Sequence, residues 1–229
     1  MQDEEPSLKQ EGLKGAPLYY DCATDDARLT LETILDGAEQ GATVVTWARA
    51  ISFRKDDSGR ITGVVVRDEL GGELREVQAR AVINATGPWT DSTIGMSQAR
   101  SSGSILRPTK GVHVVLDFAK LPLSNAVVCF HPTDRRVLFA VPWGDRTYLG
   151  TTDTDWVGDP GEVAANAADV DYLIDAANSS FPRSRLTRED VISTWAGIRP
   201  LMAPTGEEAD EVNESKVSRE HSILVGQDG

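Results

Sequence analysis

The sequence predicts a mixed α/β (α+β) chain in two unlike halves: part of an α/β layer, then a mostly antiparallel sheet. Three observations predict it. An amphipathic helix leads into a meander of short strands, a second set of short strands is separated by turn chemistry, and a second helix precedes a further strand. Length and composition agree, since 229 residues with 40% apolar and 26% charged side chains suffice for one large domain or two small ones around a buried core.

Residues 1–16 are polar with an acidic start and read as a tail, or as the exit from something upstream. From Thr24 the pattern turns helical. Thr24 or Asp25 can cap, Asp25 and Asp26 suit the positive end of the helix dipole, and Ala27, Leu31, Ile34, Leu35 and Ala38 recur at helical spacing before Gly41. Strands are expected over 42–48, 50–55 and 61–67, with turns at Asp57-Ser58-Gly59 and Gly71-Gly72, and over an apolar run, 81–87, that ends on a glycine.

The second half has a different texture. Short strands are expected over 112–117, 126–130, 137–141 and 147–151, set apart by turns such as Pro132-Thr133-Asp134 and Trp143-Gly144-Asp145. Asn166 can cap a helix with Asp169 at its third position, and Val170, Leu173, Ile174, Ala177 and Phe181 share one face before Pro182. A strand over 191–195 then reaches Gly197-Ile198-Arg199-Pro200. Beyond Leu201 come Glu207, Glu208, Asp210, Glu211 and Glu214, then a small strand over 222–225.

Several absences exclude function classes. The 20 glycines include no pair at i and i+2, so no G-x-G opens a dinucleotide fingerprint and a complete Rossmann cofactor module is excluded. The net charge of −13 argues against a nucleic-acid or anionic-membrane binder. No apolar stretch approaches the roughly 18 residues that span a bilayer, and the amino end is acidic where a targeting peptide is basic, so the chain is expected to be soluble and untargeted. Cys22 and Cys129 have no C-x-x-C spacing and His113, His131 and His221 no ligand spacing with them. No metal is expected, and both cysteines read as reduced packing residues of a cytosolic protein. G-x-S-x-G, P-loop and H-E-x-x-H motifs are missing.

Four segments carry candidate chemistry. In Arg107-Pro108-Thr109-Lys110-Gly111-Val112-His113 two cations and an imidazole arrive together at the start of a strand; solvated loop charges beside a half-buried histidine are the plainer reading. In Trp195-Ala196-Gly197-Ile198-Arg199-Pro200 an arginine stands among small residues before a proline, which suits a guanidinium aimed at an anion, although an ion pair with one of the many acids would look the same. Asn84-Ala85-Thr86-Gly87-Pro88-Trp89 is a corner of little bulk that lets backbone approach a flat or phosphate-bearing ligand, or a plain tight turn. Gly150-Thr151-Thr152-Asp153-Thr154-Asp155 suggests a carboxylate metal loop but lacks EF-hand offsets, so strand end and turn is preferred.

Taken in order, these segments, together with Asp21, Thr24-Asp25-Asp26-Ala27-Arg28-Leu29-Thr30, Pro142-Trp143, residues 190–200 and Lys216-Val217-Ser218-Arg219-Glu220-His221, resemble the respiratory, FAD-dependent glycerol-3-phosphate dehydrogenases. The resemblance runs from about Leu8 to the end. It implies a partial Rossmann-like FAD-domain layer over 17–105, an antiparallel-sheet substrate domain of the D-amino-acid-oxidase-like type over 106–205, and an acidic linker and return strand over 206–229. The family's G-x-G-x-x-G, Arg-Tyr and Gly-Gly-Lys segments are missing, so the chain is expected to be the middle of such an enzyme and to bind little or no FAD alone.

The resemblance also implies the chemistry. sn-Glycerol 3-phosphate is oxidised to dihydroxyacetone phosphate, FAD takes the hydride, and quinone takes the electrons from a parent enzyme peripheral on the cytoplasmic face of the membrane, with room for a homodimer. His113 and Arg199 become the catalytic pair, the first for the hydroxyl proton and the second for substrate oxygens. Lys110, Arg107 and Thr109 become substrate-binding residues. Ala85, Thr86, Gly87 and Trp89 would run along the flavin, and Arg49 and Ala50 near its adenine end. A sister flavoprotein acting on amino or hydroxy acids and a non-catalytic binding module remain as alternatives.

Overall fold

The computed structural model describes residues 5–97, 104–203, 222–226 and 228. Two compact units are formed, one from the described residues of Met1–Ala16, Thr86–Asp91 and Ser102–Ser222, the other from Pro17–Ala85, Ser92–Ser101 and Ile223–Gly229. The acidic run 207–214 and the segment ending at His221 lie outside the described residues.

The smaller unit opens with helix α1 (Asp26–Glu39). Its cap is Asp25, whose carboxylate accepts the Arg28 N–H at 3.0 Å, and Arg28 pairs with Glu32 one turn on. Strands β1 (Ala48–Lys55), β2 (Ile61–Asp68) and β3 (Leu74–Gln78) then make an antiparallel sheet in sequence order. The first hairpin is set by Asp56, whose side chain accepts from the N–H groups of Ser58 (2.9 Å) and Arg60 (3.1 Å).

Three expected strands of this half are not formed. The ladder starts at Ala48 rather than Ala42, and neither 81–87 nor 222–225 forms a strand among the described residues. A strand exists only where a neighbouring strand takes its N–H and C=O groups in a continued ladder, and among the described residues no such ladder runs along these segments. Their apolar side chains are exposed, Ile83 to 87% and Val45 to 66%, and α1 itself has no buried residue.

The larger unit holds the core. Its strands are β4 (Leu106–Asp117), β5 (Val127–Phe130), β6 (Val137–Trp143), β7 (Arg146–Gly150), β8 (Thr154–Asp155) and β9 (Val191–Met202). Between β3 and β4 runs the short helix α2 (Thr90–Gly95), and between β8 and β9 the helix α3 (Ala167–Ser180). The sheet is antiparallel in the order β5-β6-β7-β4-β8, with β9 paired along β4. Asn166 caps α3 in a reciprocal box with Asp169. The helix lays Leu173, Ile174 and Ala177 onto the sheet face made by Val112, Val114, Leu138 and Leu149.

Strands β4 and β9 are each 12 residues long, well beyond the expected 112–117 and 191–195. The residues that look like breakers sit opposite one another: Pro108 faces Pro200 and Gly111 faces Gly197. Two prolines have no N–H to give, so their pair occupies a non-hydrogen-bonded position where none is needed. The ladder passes through both.

Residues 5–16, expected as a tail, are tied to this unit. Glu5 is buried and accepts from the N–H groups of Ser124 (3.2 Å) and Asn125 (2.5 Å), and Leu8 packs on the core. Of the two cysteines only Cys129 is a packing residue, its thiol pushed up to about 11 by burial despite an opposing bond from Ser180; Cys22 is exposed. No helix among the described residues is long and apolar enough to cross a membrane.

The two halves should respond unequally to truncation. Leu173→Ala, at a buried site, is expected to cost about 2–5 kcal/mol of unfolding free energy, and Leu35→Ala on the exposed face of α1 no more than about 0.5 kcal/mol, measured from urea midpoints.

Candidate functional site

Side chains alternate along β4. Lys110, Val112 and Val114 point into the core, whereas Arg107, Thr109, Gly111 and His113 belong to the opposite face. Register places Trp195, Gly197 and Arg199 of β9 on that same face opposite His113, Gly111 and Thr109, and Gly150 of β7 on the other side of His113.

Two glycines make room for the two functional groups. A Cβ at Gly150 would stand 2.0 Å from Cδ2 of His113, so the imidazole lies across β7 where the neighbour has no side chain. A Cβ at Gly111 would stand 2.5 Å from Nη2 of Arg199, so the guanidinium lies across β4 in the same way. Gly111 and His113 are two residues apart, about 6.6 Å along the strand. Imidazole and guanidinium therefore share one face of the sheet.

The histidine ring is held by aromatic side chains. It stacks on Trp195 at 4.9 Å with an interplanar angle of 18° and meets Tyr148 edge-on at 5.9 Å. Trp143 closes on Trp195 at 6.3 Å. An indole face beneath an imidazole attracts the cation that forms when the ring takes a proton. Arg199 Nη1 donates to the Thr152 carbonyl (3.3 Å) and to Asp153 Oδ1 (3.1 Å), and Nη2 donates to Thr151 Oγ1 (3.0 Å).

The other candidates are placed differently. Lys110 turns away from His113 and forms a buried ion pair with Asp169 at 2.6 Å, beneath the Trp156 ring. The same Asp169 oxygen accepts the Asn166 N–H at 2.9 Å, so the pair joins β4 to the start of α3. Arg107 forms a two-pronged bond to Asp155, 2.9 Å on each arm. Both cations hold carboxylates of their own chain rather than standing as solvated loop charges. Thr109 is fully buried beside Arg199 in register, with no hydrogen-bond partner for its hydroxyl among the described residues.

The Ala85-Thr86-Gly87 corner leads into a single 3-10 turn, Gly87–Trp89, with Gly87 at φ +56°, a conformation that favours glycine. Trp89 and Ala85 are exposed. On β1, Arg49 is exposed and pairs with Glu69 at 3.3 Å, and Ala50 is half-buried.

Beyond this face a polar chain continues. Arg136 bonds the Asp153 carbonyl and lies 3.5 Å from Asp134, which accepts from the Tyr172 hydroxyl at 3.0 Å. Burial pushes the Tyr172 phenol up to about 12, and its bond to Asp134 adds to the effect. Burial pushes Asp134 up, but the Arg136 N–H, the Tyr172 hydroxyl, His131 and the Arg136 charge together hold it below the ordinary carboxylate value. No group of three His, Cys, Asp or Glu among the described residues is placed to hold a metal ion.

The chain belongs to the FAD dependent oxidoreductase family, whose model matches residues 1–222. Its relatives include an alpha-glycerophosphate oxidase of Streptococcus pneumoniae, 43% identical over 92% of this chain and 34% of its own length. An aerobic glycerol-3-phosphate dehydrogenase of Staphylococcus saprophyticus is 39% identical over 99% of this chain and 40% of its own. The solved glycerol-3-phosphate dehydrogenase of Bacillus halodurans, complexed with FAD, superimposes with a TM-score of 0.84 at 40% identity, covering 88% of this chain and 40% of that one. L-proline dehydrogenase from P. horikoshii shares the fold, with a TM-score of 0.64 at 14% identity. The chain thus spans 34–40% of the length of these curated relatives.

The residues present fit one part of a flavin site and not another. Gly197, with nothing within 4 Å of a Cβ position, leaves open space beside the exposed indole of Trp195, which suits the approach of a planar ring. The pyrophosphate finds no cradle at either long helix among the described residues: α1 starts from the Asp25 cap and α3 carries Asp169 in its first turn, so an anion would meet carboxylates already in place.

The placement of Lys110 has a direct test. Lys110→Ala leaves Asp169 buried and unpaired and should destabilise the fold by about 3–5 kcal/mol in denaturant titrations, with Lys110→Met/Asp169→Leu recovering most of the loss. A lysine that only attracted substrate would show no such cost.

Proposed function

We propose that this chain carries the substrate-holding sheet of an FAD-dependent enzyme that oxidises sn-glycerol 3-phosphate to dihydroxyacetone phosphate. One observation carries the reading: the β4–β9 register puts His113 and Arg199 on one face, each lying across a glycine. The named activities of relatives 39–43% identical to the chain favour this substrate over an amino or hydroxy acid.

Oxidation of a secondary alcohol removes a proton from oxygen and a hydride from carbon. His113 takes the hydroxyl proton, and its stacking on Trp195 fixes the direction from which it does so. Arg199 binds substrate oxygens and offsets the negative charge that grows on the alcohol oxygen as its proton leaves. FAD, when bound, supplies the two-electron acceptor. In the same reading Ala85, Thr86, Gly87 and Trp89 border the flavin, with Arg49 and Ala50 toward its adenine end. Quinone is the final acceptor, and the enzyme works at the cytoplasmic face of the membrane.

In the flavin-loaded enzyme, Arg199→Lys keeps the charge but loses the fork. It should lower kcat/KM on glycerol 3-phosphate by about 10–100-fold, the equivalent of one or two charge-assisted bonds, without loss of FAD. His113→Ala should lower kcat by about 10²–10⁴-fold and abolish the acidic limb of the pH–rate profile, where protonation of the base shuts off turnover. Unchanged kinetics in both variants, or turnover of carboxylate substrates alone, would contradict the proposal.

A further inference from the structure

The segment after β7 has no role in the reading above. Its residues alternate like a strand. Thr152 is buried, its hydroxyl accepts the Val112 N–H at 3.0 Å, and its own N–H donates to the Val112 carbonyl at 3.3 Å. Those two bonds lock the segment to β4. Thr151 and Asp153, on either side, both turn to the guanidinium of Arg199. The Thr151 hydroxyl accepts from Arg199 and donates to the Thr152 carbonyl at 2.9 Å, the same carbonyl that takes a bond from Nη1.

Resting on the proposed role of Arg199, we infer that Thr151 and Asp153 are positioning residues that set the plane and reach of its guanidinium for the substrate anion. Arginine has several soft torsions, and an unrestrained one would have to be ordered each time substrate binds. Here the three bonds fix both terminal nitrogens, and the glycine beneath leaves the group lying flat on β4. The Asp153 side chain is only 13% exposed, so its pairing with Arg199 is little weakened by solvent. The arrangement stores orientation in the free protein, so binding energy is not consumed in creating it.

A double-mutant cycle in the flavin-loaded enzyme, read as kcat/KM on glycerol 3-phosphate, tests the inference. Thr151→Val and Asp153→Ala should each lower it about tenfold, as expected for loss of one bond to a charged group. Thr151→Ser, which keeps the hydroxyl, should stay within about twofold of the parent. In an Arg199→Ala background both substitutions should fall silent, because they act only through that side chain. If Arg199→Ala alone leaves kcat/KM unchanged, the substrate role of Arg199 fails and the inference fails with it. If Arg199→Ala is costly but Thr151→Val and Asp153→Ala retain their full penalties on top of it, the role of Arg199 stands and the positioning inference is overturned. Should Asp153→Ala not yield loaded enzyme, the Thr151→Val and Thr151→Ser pair makes the same contrast.

Discussion

The larger unit depends on the pairing of β4 with β9. These are its longest strands, and the pairing runs from Leu106↔Met202 to Leu116↔Val191 with one irregularity near its end. Because side chains alternate, that one ladder fixes two surfaces at once. On one, Val112 and Val114 meet α3 and build the core; on the other, His113 and Arg199 each lie across a glycine. A slip of one residue would bury the imidazole and expose the valines. The core therefore specifies the register, and the register specifies the site.

The same alternation sorts the cations. Lys110 and His113 are three residues apart and so lie on opposite faces, which explains why a segment that looks like one cluster performs two tasks. Lys110 with Asp169 fastens the helix start to the sheet from below, where an unpaired ammonium would be costly. Above, Arg199 shares its charge with Asp153 and yet keeps a fixed, half-exposed position. Its value to an incoming anion lies in direction more than in net charge, because a preorganised donor needs no rearrangement as charge develops.

Much of this was legible in the sequence. Helical spacing and caps placed α1 and α3 to within a residue or two at each end, and turn residues separated β5, β6 and β7. Two kinds of feature were not. The true lengths of β4 and β9 were hidden by Pro108, Gly111, Gly197 and Pro200, since each looks like a breaker until it is seen facing its counterpart. The strands expected over 42–48 and 81–87 have strand composition but no ladder runs along them among the described residues, and composition cannot supply a neighbouring strand. In the site, His113 and Arg199 stood out as residue types. Thr151, Asp153 and the stacking partner Trp195 lay in segments singled out for chemistry, but their contacts with Arg199 and His113 were not read, although Thr-Thr-Asp after a strand carries a period-two signal: outer residues to one face, the middle one to the other.

The claim that a glycine gap in β4 shapes the anion site is tested most directly by Gly111→Ala. The new methyl would meet Arg199 Nη2 at 2.5 Å and Thr151 Oγ1 at 2.7 Å, the ends of side chains rather than backbone, so the fold can yield at small cost while the guanidinium is displaced. Measured side by side in the flavin-loaded enzyme, the melting temperature should change little and kcat/KM on glycerol 3-phosphate should fall by about tenfold or more. Full activity in a Gly111→Ala enzyme of normal stability would contradict the account.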